Sequence, residues 1–88
     1  MNRPSIDEYF KTTGFYDLQP MALQIAGNLG YDHREVIEAI CKVNDKFNQY
    51  PPRKNRVAWF RMVFEEKLQE ARADILAYTA KKDYFHRA

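Results

Sequence analysis

The last third of the chain carries an apolar stripe that repeats every three or four residues, and this pattern constrains the fold more than any other feature. Such spacing predicts one face of a long α-helix, which we expect from about residue 56 to about residue 80. At 1.5 Å per residue the helix would be about 37 Å long, so its C-terminal half is expected to project from the domain or to pair with another chain. The stripe consists of Val57, Phe60, Phe64, Leu68, Ala71, Ile75 and Tyr78.

Capping and turn residues divide the rest of the chain into three shorter helices. Ser5 and Asp32 are each followed three residues later by a glutamate, which is the capping-box pattern of a helix N-terminus. Gly14 and Gly30 suit the left-handed residue that ends a helix, and the Pro51-Pro52 pair stops the third helix. We expect these helices over residues 5–12, 18–29 and 33–48. The fold class is therefore all-α, a compact four-helix domain with one short, two medium and one long helix.

Length and composition set the broad class of protein. The chain has 88 residues, of which 45% are hydrophobic and 30% charged, so one core and a single domain over 1–88 are expected, with 81–88 as a frayed tail. No apolar run is long enough to cross a membrane, and Asp7 and Glu8 lie where a signal peptide would be apolar. With one cysteine and no disulfide, a cytoplasmic location is the default expectation.

Few residues favour catalysis or metal binding. Ser5 is the only serine and is expected to cap a helix, while Cys41 is expected to be a small core residue. His33 and His86 are far apart and have no metal-ligand spacing with Cys41. We therefore expect no catalytic residue, metal, cofactor or small-molecule substrate.

Charge is unevenly distributed along the chain. Residues 1–50 hold five Lys or Arg against seven Asp or Glu, whereas residues 51–88 hold nine against five. Most of the excess lies in PPRKNRVAWFR, where Arg53, Lys54, Arg56 and Arg61 have no acidic residue between them. A basic turn before a helix N-terminus suits contact with a nucleic-acid phosphate, although a solvated turn that aids solubility is the equally simple alternative.

The start of the predicted long helix is also rich in apolar residues. Its first two turns are apolar almost all round, so this end is either buried or able to bind a partner. Trp59 is expected in the core, or alternatively beside Tyr50 at a groove for a partner or an unpaired base. The predicted partner-binding residues are Tyr50, Trp59, Met62 and Val63. The stripe of the long helix also predicts a possible homodimer.

The features described above occur together in one segment of the chain. The run IEAICKVNDKFNQYPPRKNRVAWFRMVFEEKLQEARADI places an apolar helix, a proline-containing basic turn and an aromatic helix in succession, over roughly residues 37–76. It resembles the C-terminal helical region of DnaD-like and replisome-organiser replication proteins of Gram-positive phages and plasmids. The resemblance implies that the basic turn and the helix after it bind DNA or a helicase-loading replication protein. Two hypotheses follow: a non-catalytic DNA-binding or replication-accessory module, and a protein-interaction module or small regulator.

Overall fold

Four α-helices make up the fold, as the sequence predicted. The computed structural model describes the backbone of residues 5–87 and the side chains of residues 5–78, and no strand occurs in that part of the backbone. The helices are α1 (Ile6–Thr13), α2 (Gln19–Leu29), α3 (His33–Gln49) and α4 (Arg56–Arg87), with a 3₁₀ turn at Tyr16–Leu18 before α2. The long helix α4 continues past its predicted end at residue 80. Ala88 lies outside the described residues, and the frayed tail over 81–88 stays a prediction.

Side-chain caps fix where the helices begin. Ser5 Oγ accepts a hydrogen bond from the Glu8 amide at 3.3 Å. The predicted capping box of α3 is complete, because the Glu35 amide donates to Asp32 and the Asp32 amide donates to Glu35, both at 2.9 Å. Before α4, Asn55 Oδ1 accepts the Ala58 amide at 3.0 Å. Each cap satisfies an amide that has no partner inside its helix, which is why the helices start at these residues.

Two glycines end the first two α-helices of the chain. Gly14 follows α1 with φ 84°, and Gly30 follows α2 with φ 80°. Both lie in the left-handed region, where a Cβ atom is strained, so glycine is the residue these turns require. As predicted, α3 ends just before Tyr50, Pro51 and Pro52.

The core lies mainly between α3 and α4, with α1 and α2 closing it. Phe15 is buried at the centre, where its ring centroid is 5.4 Å from that of Phe47 and 5.1 Å from that of Phe60. Phe60 in turn stacks on Phe64 at 5.3 Å. The buried apolar residues are Phe10, Phe15, Leu18, Ala22, Ile25, Ala26, Val36, Ala39, Ile40, Val43, Phe60, Val63, Phe64, Leu68 and Ala71.

The central part of the apolar stripe of α4 packs against the other helices of the same chain. Its members Phe60, Phe64, Leu68 and Ala71 are buried in the core, whereas Val57 and Tyr78 at its ends are exposed. The central stripe is therefore not available as a seam between two copies, and the homodimer stays a prediction. Ala71 is the last fully buried residue of α4 among the described side chains, so the helix extends beyond the core, as expected from its length.

Arg56, at the start of α4, contacts the turn after α1, and we call this set of contacts the Arg56 clasp. Its guanidinium donates to both carboxylate oxygens of Asp17, at 2.9 and 3.2 Å, and to the backbone oxygen of Gly14 at 2.7 Å. It also lies over the Phe15 ring, 4.9 Å from the centroid. A planar guanidinium can pair with a carboxylate through two N–H groups, donate to a carbonyl and lie over an aromatic face at once.

Arg72 makes the equivalent clasp further along α4. It donates to the Glu35 carboxylate at 2.6 and 3.0 Å and to the Gly30 backbone oxygen at 2.8 Å, and it lies 4.2 Å from the Tyr31 ring centroid. Each arginine thus satisfies the carbonyl of a left-handed glycine and stacks on the aromatic residue that follows it. Together, the two clasps attach α4 to both glycine turns.

We expect Phe64→Ala to lower the free energy of unfolding by about 3–5 kcal/mol, because it removes a fully buried ring and leaves a cavity. Met62→Ala, two residues earlier and 63% exposed, is the matched control and should change the free energy of unfolding by less than about 0.5 kcal/mol. Urea unfolding followed by circular dichroism measures both. Equal losses of stability in the two variants would contradict the position of this core.

The Arg72 clasp should make stability depend on acid pH. Its hydrogen bonds to Glu35 lower the pKa of that carboxyl below its ordinary value. The unfolded-state pKa of a glutamate is about 4.3, so this stabilisation is complete above about pH 4.3 and is lost as the pH falls through the lower folded-state pKa. Glu35→Gln should be less stable than the wild type near neutral pH, and the difference should narrow below about pH 4.

Thermal unfolding from about pH 7 to about pH 3 tests this dependence. Glu38→Gln is the control, since Glu38 is exposed on the same helix and forms no ion pair with the described residues. A Glu35→Gln variant whose deficit stays constant across this range would show that the charge of Glu35 is not what stabilises the clasp.

Candidate functional site

The turn between α3 and α4 presents three of the four predicted basic residues to solvent. Arg53 and Lys54 are exposed on the turn itself, and Arg61 is exposed on the second turn of α4. Arg56 is different, because the Asp17 carboxylate and the Gly14 carbonyl occupy its guanidinium. The prediction that Arg56 belongs with the other three is therefore corrected: it holds the helix start in place.

Ion pairing distinguishes this turn from the rest of the surface. Among the ten Lys and Arg residues between positions 5 and 78, five pair with a carboxylate of the described chain: Lys42, Lys46, Arg56, Lys67 and Arg72. The five without such a partner are Lys11, Arg34, Arg53, Lys54 and Arg61. Three of these five lie within nine residues of each other, so within residues 5–78 the unpaired positive charge is concentrated at the α3–α4 turn.

The clasp at Arg56 also sets the electrostatics next to the turn. Its hydrogen bonds lower the pKa of the Asp17 carboxyl below the ordinary value, so Asp17 stays charged and the pair is neutral as a whole. Asn55, just before α4, has φ 35° and caps the helix with its side chain. Asparagine tolerates this left-handed backbone better than most residues. Asn55 therefore gives the backbone a defined conformation between Lys54 and the start of α4.

The four predicted partner-binding residues do not form one surface. Val63 is fully buried, so its assignment to a partner surface is wrong. Trp59 is half-buried and packs edge-on against Phe47 with ring centroids 5.6 Å apart, in line with the core alternative. Tyr50 is 72% exposed and Met62 63%, and they line two different grooves.

Met62 borders an apolar groove between α2 and α4. The groove has a volume of about 460 Å³ and is lined by Met21, Asn55, Val57, Ala58, Arg61, Met62 and Glu65. Val57 is exposed although it belongs to the predicted apolar stripe, and Met21 is half-buried. Val57 lies in the first turn of α4, before the first fully buried residue of that helix, Phe60. The only sequence signal for the exposure of Val57 is its position in the first turn of the helix.

Tyr50 borders a polar groove between α3 and α4. Lys42, Lys46 and Lys67 line it, but each of these lysines pairs with an acidic residue of α4. The lysines are thus engaged within the chain, and Tyr50 is the exposed aromatic residue next to the basic turn.

Cys41 is exposed on α3, so its predicted place in the core is wrong. Ala39 and Ile40 take the buried positions of that helical turn instead. Partial desolvation, followed by the carboxylates of Glu38 and Asp45, raises the pKa of the Cys41 thiol above its ordinary value. A raised pKa disfavours the nucleophilic thiolate. Among residues 5–78, no group of three His, Cys, Asp or Glu side chains is arranged to hold a metal ion.

Comparison with known proteins identifies no relative: no protein-family model matches the chain, and no curated protein or solved structure is significantly similar to it. Within the described chain, no helix has the length and apolarity needed to cross a membrane.

Proposed function

We propose that this chain is a small non-catalytic module that binds the phosphate backbone of DNA through Arg53, Lys54 and Arg61. The observation that carries the proposal is the concentration of unpaired positive charge at the α3–α4 turn, within residues 5–78, where most of the other basic residues pair with carboxylates. Long exposed basic side chains suit phosphate groups, which they bind without reading base sequence.

The Arg56 clasp supports this function indirectly. By fixing the start of α4 against the α1 turn, it holds Arg61 and the preceding turn in a defined arrangement. Tyr50, three residues before Arg53 and largely exposed, is placed where an aromatic ring can stack on an unpaired base.

The biological setting is proposed from the sequence pattern. The succession of apolar helix, basic turn and aromatic helix over residues 37–76 resembles DnaD-like replication proteins of phages and plasmids. We infer an accessory role in the replication of such an element, in which the module contacts DNA or a replication protein.

We expect Arg53→Ala/Lys54→Ala to weaken DNA binding about tenfold at low salt. The slope of log affinity against log salt should become shallower by about 0.9 for each duplex phosphate that the variant no longer neutralises. Adding Arg61→Ala should weaken binding further. Fluorescence anisotropy of labelled single- and double-stranded DNA, at about 50 and about 200 mM salt, measures both effects.

The matched control is Lys11→Ala/Arg34→Ala, which removes the same charge from unpaired residues elsewhere on the surface. It should retain most of the affinity. The proposal is wrong if neither DNA binds the wild type at the lower salt concentration. Equal reductions of affinity in the two double variants would assign binding to net charge instead of to the turn.

A protein-interaction function is the second candidate, favoured by the exposure of Val57 and Met62 in the groove between α2 and α4. Two exposed apolar side chains beside the half-buried Met21 form a small patch of the kind that partner helices cover.

For this candidate, we expect Met62→Glu to abolish capture of the partner in a pull-down, while Leu76→Glu on the same helix leaves it intact. Both side chains are about equally exposed, so neither change should unfold the protein. Because the interaction is apolar, added salt should not release the partner. Release by salt, or equal reduction of capture in both variants, would argue against this groove.

A further inference from the structure

Tyr50 presents an aromatic ring to solvent at the end of α3. Of the large hydrophobic residues in the described part of the chain it is the most exposed, at 72%. Trp59, the other aromatic residue predicted beside it, is instead half-buried and packs against Phe47. The core therefore uses the Trp59 ring and leaves the Tyr50 ring available to a ligand.

The backbone of Tyr50 is held firmly although its ring is exposed. Its amide donates to the carbonyl oxygen of Lys46 at 2.8 Å, which closes the last turn of α3. Pro51 disfavours helical backbone at Tyr50, which has φ −138° and ψ 71°. A ring on a fixed backbone gives up little conformational freedom when a ligand stacks on it, so less of the interaction energy is lost to ordering.

The unpaired cations of the α3–α4 turn begin three residues after Tyr50. A fully extended chain spans about 3.3–3.6 Å per residue, so the Cα atoms of Tyr50 and Arg53 are at most about 11 Å apart. Each nucleotide joins a base to a phosphate through one sugar. A strand whose phosphates contact Arg53 and Lys54 can therefore bring a base to the Tyr50 ring.

The polar groove between α3 and α4 suits a base better than a phosphate. Its three lysines pair with carboxylates of α4, so the charges beside Tyr50 largely cancel. Gln49 is exposed next to Tyr50, and its amide offers both a donor and an acceptor, as the edge of a base requires. The groove has a volume of about 360 Å³ and is lined by Lys42, Asp45, Lys46, Gln49, Tyr50, Lys67 and Glu70.

We propose that this groove is a subsite for one unpaired base, stacked on the Tyr50 ring, and that the module therefore prefers single-stranded DNA. The inference rests on the proposed function, because Arg53, Lys54 and Arg61 bind the phosphates of the same strand. The bases of a duplex stack on each other and leave no free face for an exposed ring, whereas an unpaired base does. Aromatic rings beside basic residues are how proteins bind single strands without reading their sequence.

Fluorescence anisotropy with three labelled ligands of equal length tests the inference on the full chain. They are an oligothymidylate of about 12 nucleotides, its duplex with the complementary strand, and an abasic strand that keeps the phosphates and lacks the bases. We expect the wild type to bind the oligothymidylate at least fivefold more tightly than the abasic strand, and more tightly than the duplex. Tyr50→Ala should remove the preference over the abasic strand, and Tyr50→Phe, which keeps the ring, should retain it.

Salt dependence separates stacking from phosphate contact. Stacking releases no counterions, so Tyr50→Ala should weaken binding of the oligothymidylate by the same factor at about 50 and about 200 mM salt. Arg53→Ala/Lys54→Ala should instead make the salt dependence shallower. Tyr16→Ala is the matched control, since Tyr16 is 50% exposed in the turn before α2, and it should leave the affinity for all three ligands unchanged. Circular dichroism checks that each variant is folded.

Three results overturn the inference while the proposed function stands. They are equal binding of the intact and abasic strands by the wild type, unchanged affinity of Tyr50→Ala for the oligothymidylate, and tighter binding of the duplex than of the single strand. In each case, weaker binding by Arg53→Ala/Lys54→Ala would still assign phosphate contact to the turn. Absence of binding to all three ligands at the lower salt concentration overturns the proposed function, and this inference with it.

Discussion

The arrangement of the helices depends on two arginines that reach from α4 to the ends of the first two helices. A helix leaves its last carbonyl groups without partners, and a glycine turn exposes them. Arg56 and Arg72 each donate to the carbonyl of the turn glycine, pair with a nearby carboxylate and stack on the next aromatic ring. Because both arginines belong to one helix, the two turns are positioned relative to each other as well as to α4. In a small domain with few buried side chains, such interactions define the packing that apolar burial alone would leave less specific.

The helix boundaries could be predicted because their causes are local. Ser5, Asp32 and Asn55 cap the helices that follow them, and the glycines and the proline pair end the helices that precede them, within a few residues in every case. The end of α4 could not be placed in this way, because no glycine or proline interrupts the sequence after residue 52.

Which face of each helix is buried was less predictable, because it depends on neighbours distant in sequence. Val63 is buried since α4 packs against both α3 and α2, so its buried face is wider than a single stripe. Cys41 is exposed because it lies about 200° round α3 from Ala39, on the side away from the neighbouring helices, whereas Ala39 is buried. Arg56 looked like its neighbours Arg53 and Lys54 in the sequence, and only the approach of Asp17, 39 residues away, distinguishes it.

Pairing within the chain also explains how a chain of low net charge can carry a local concentration of positive charge. The Arg56–Asp17 pair is neutral as a whole, so it neither adds to nor cancels the charge of the unpaired cations of the α3–α4 turn. Exposed charges act over about one Debye length, which is about 8–10 Å in physiological salt. A ligand therefore responds mainly to the unpaired charges nearest to it and only weakly to the net charge of the chain. Internal pairing of Lys42, Lys46 and Lys67 removes competing positive charge from the neighbouring face. The net charge of +2 therefore understates the local positive charge of the turn.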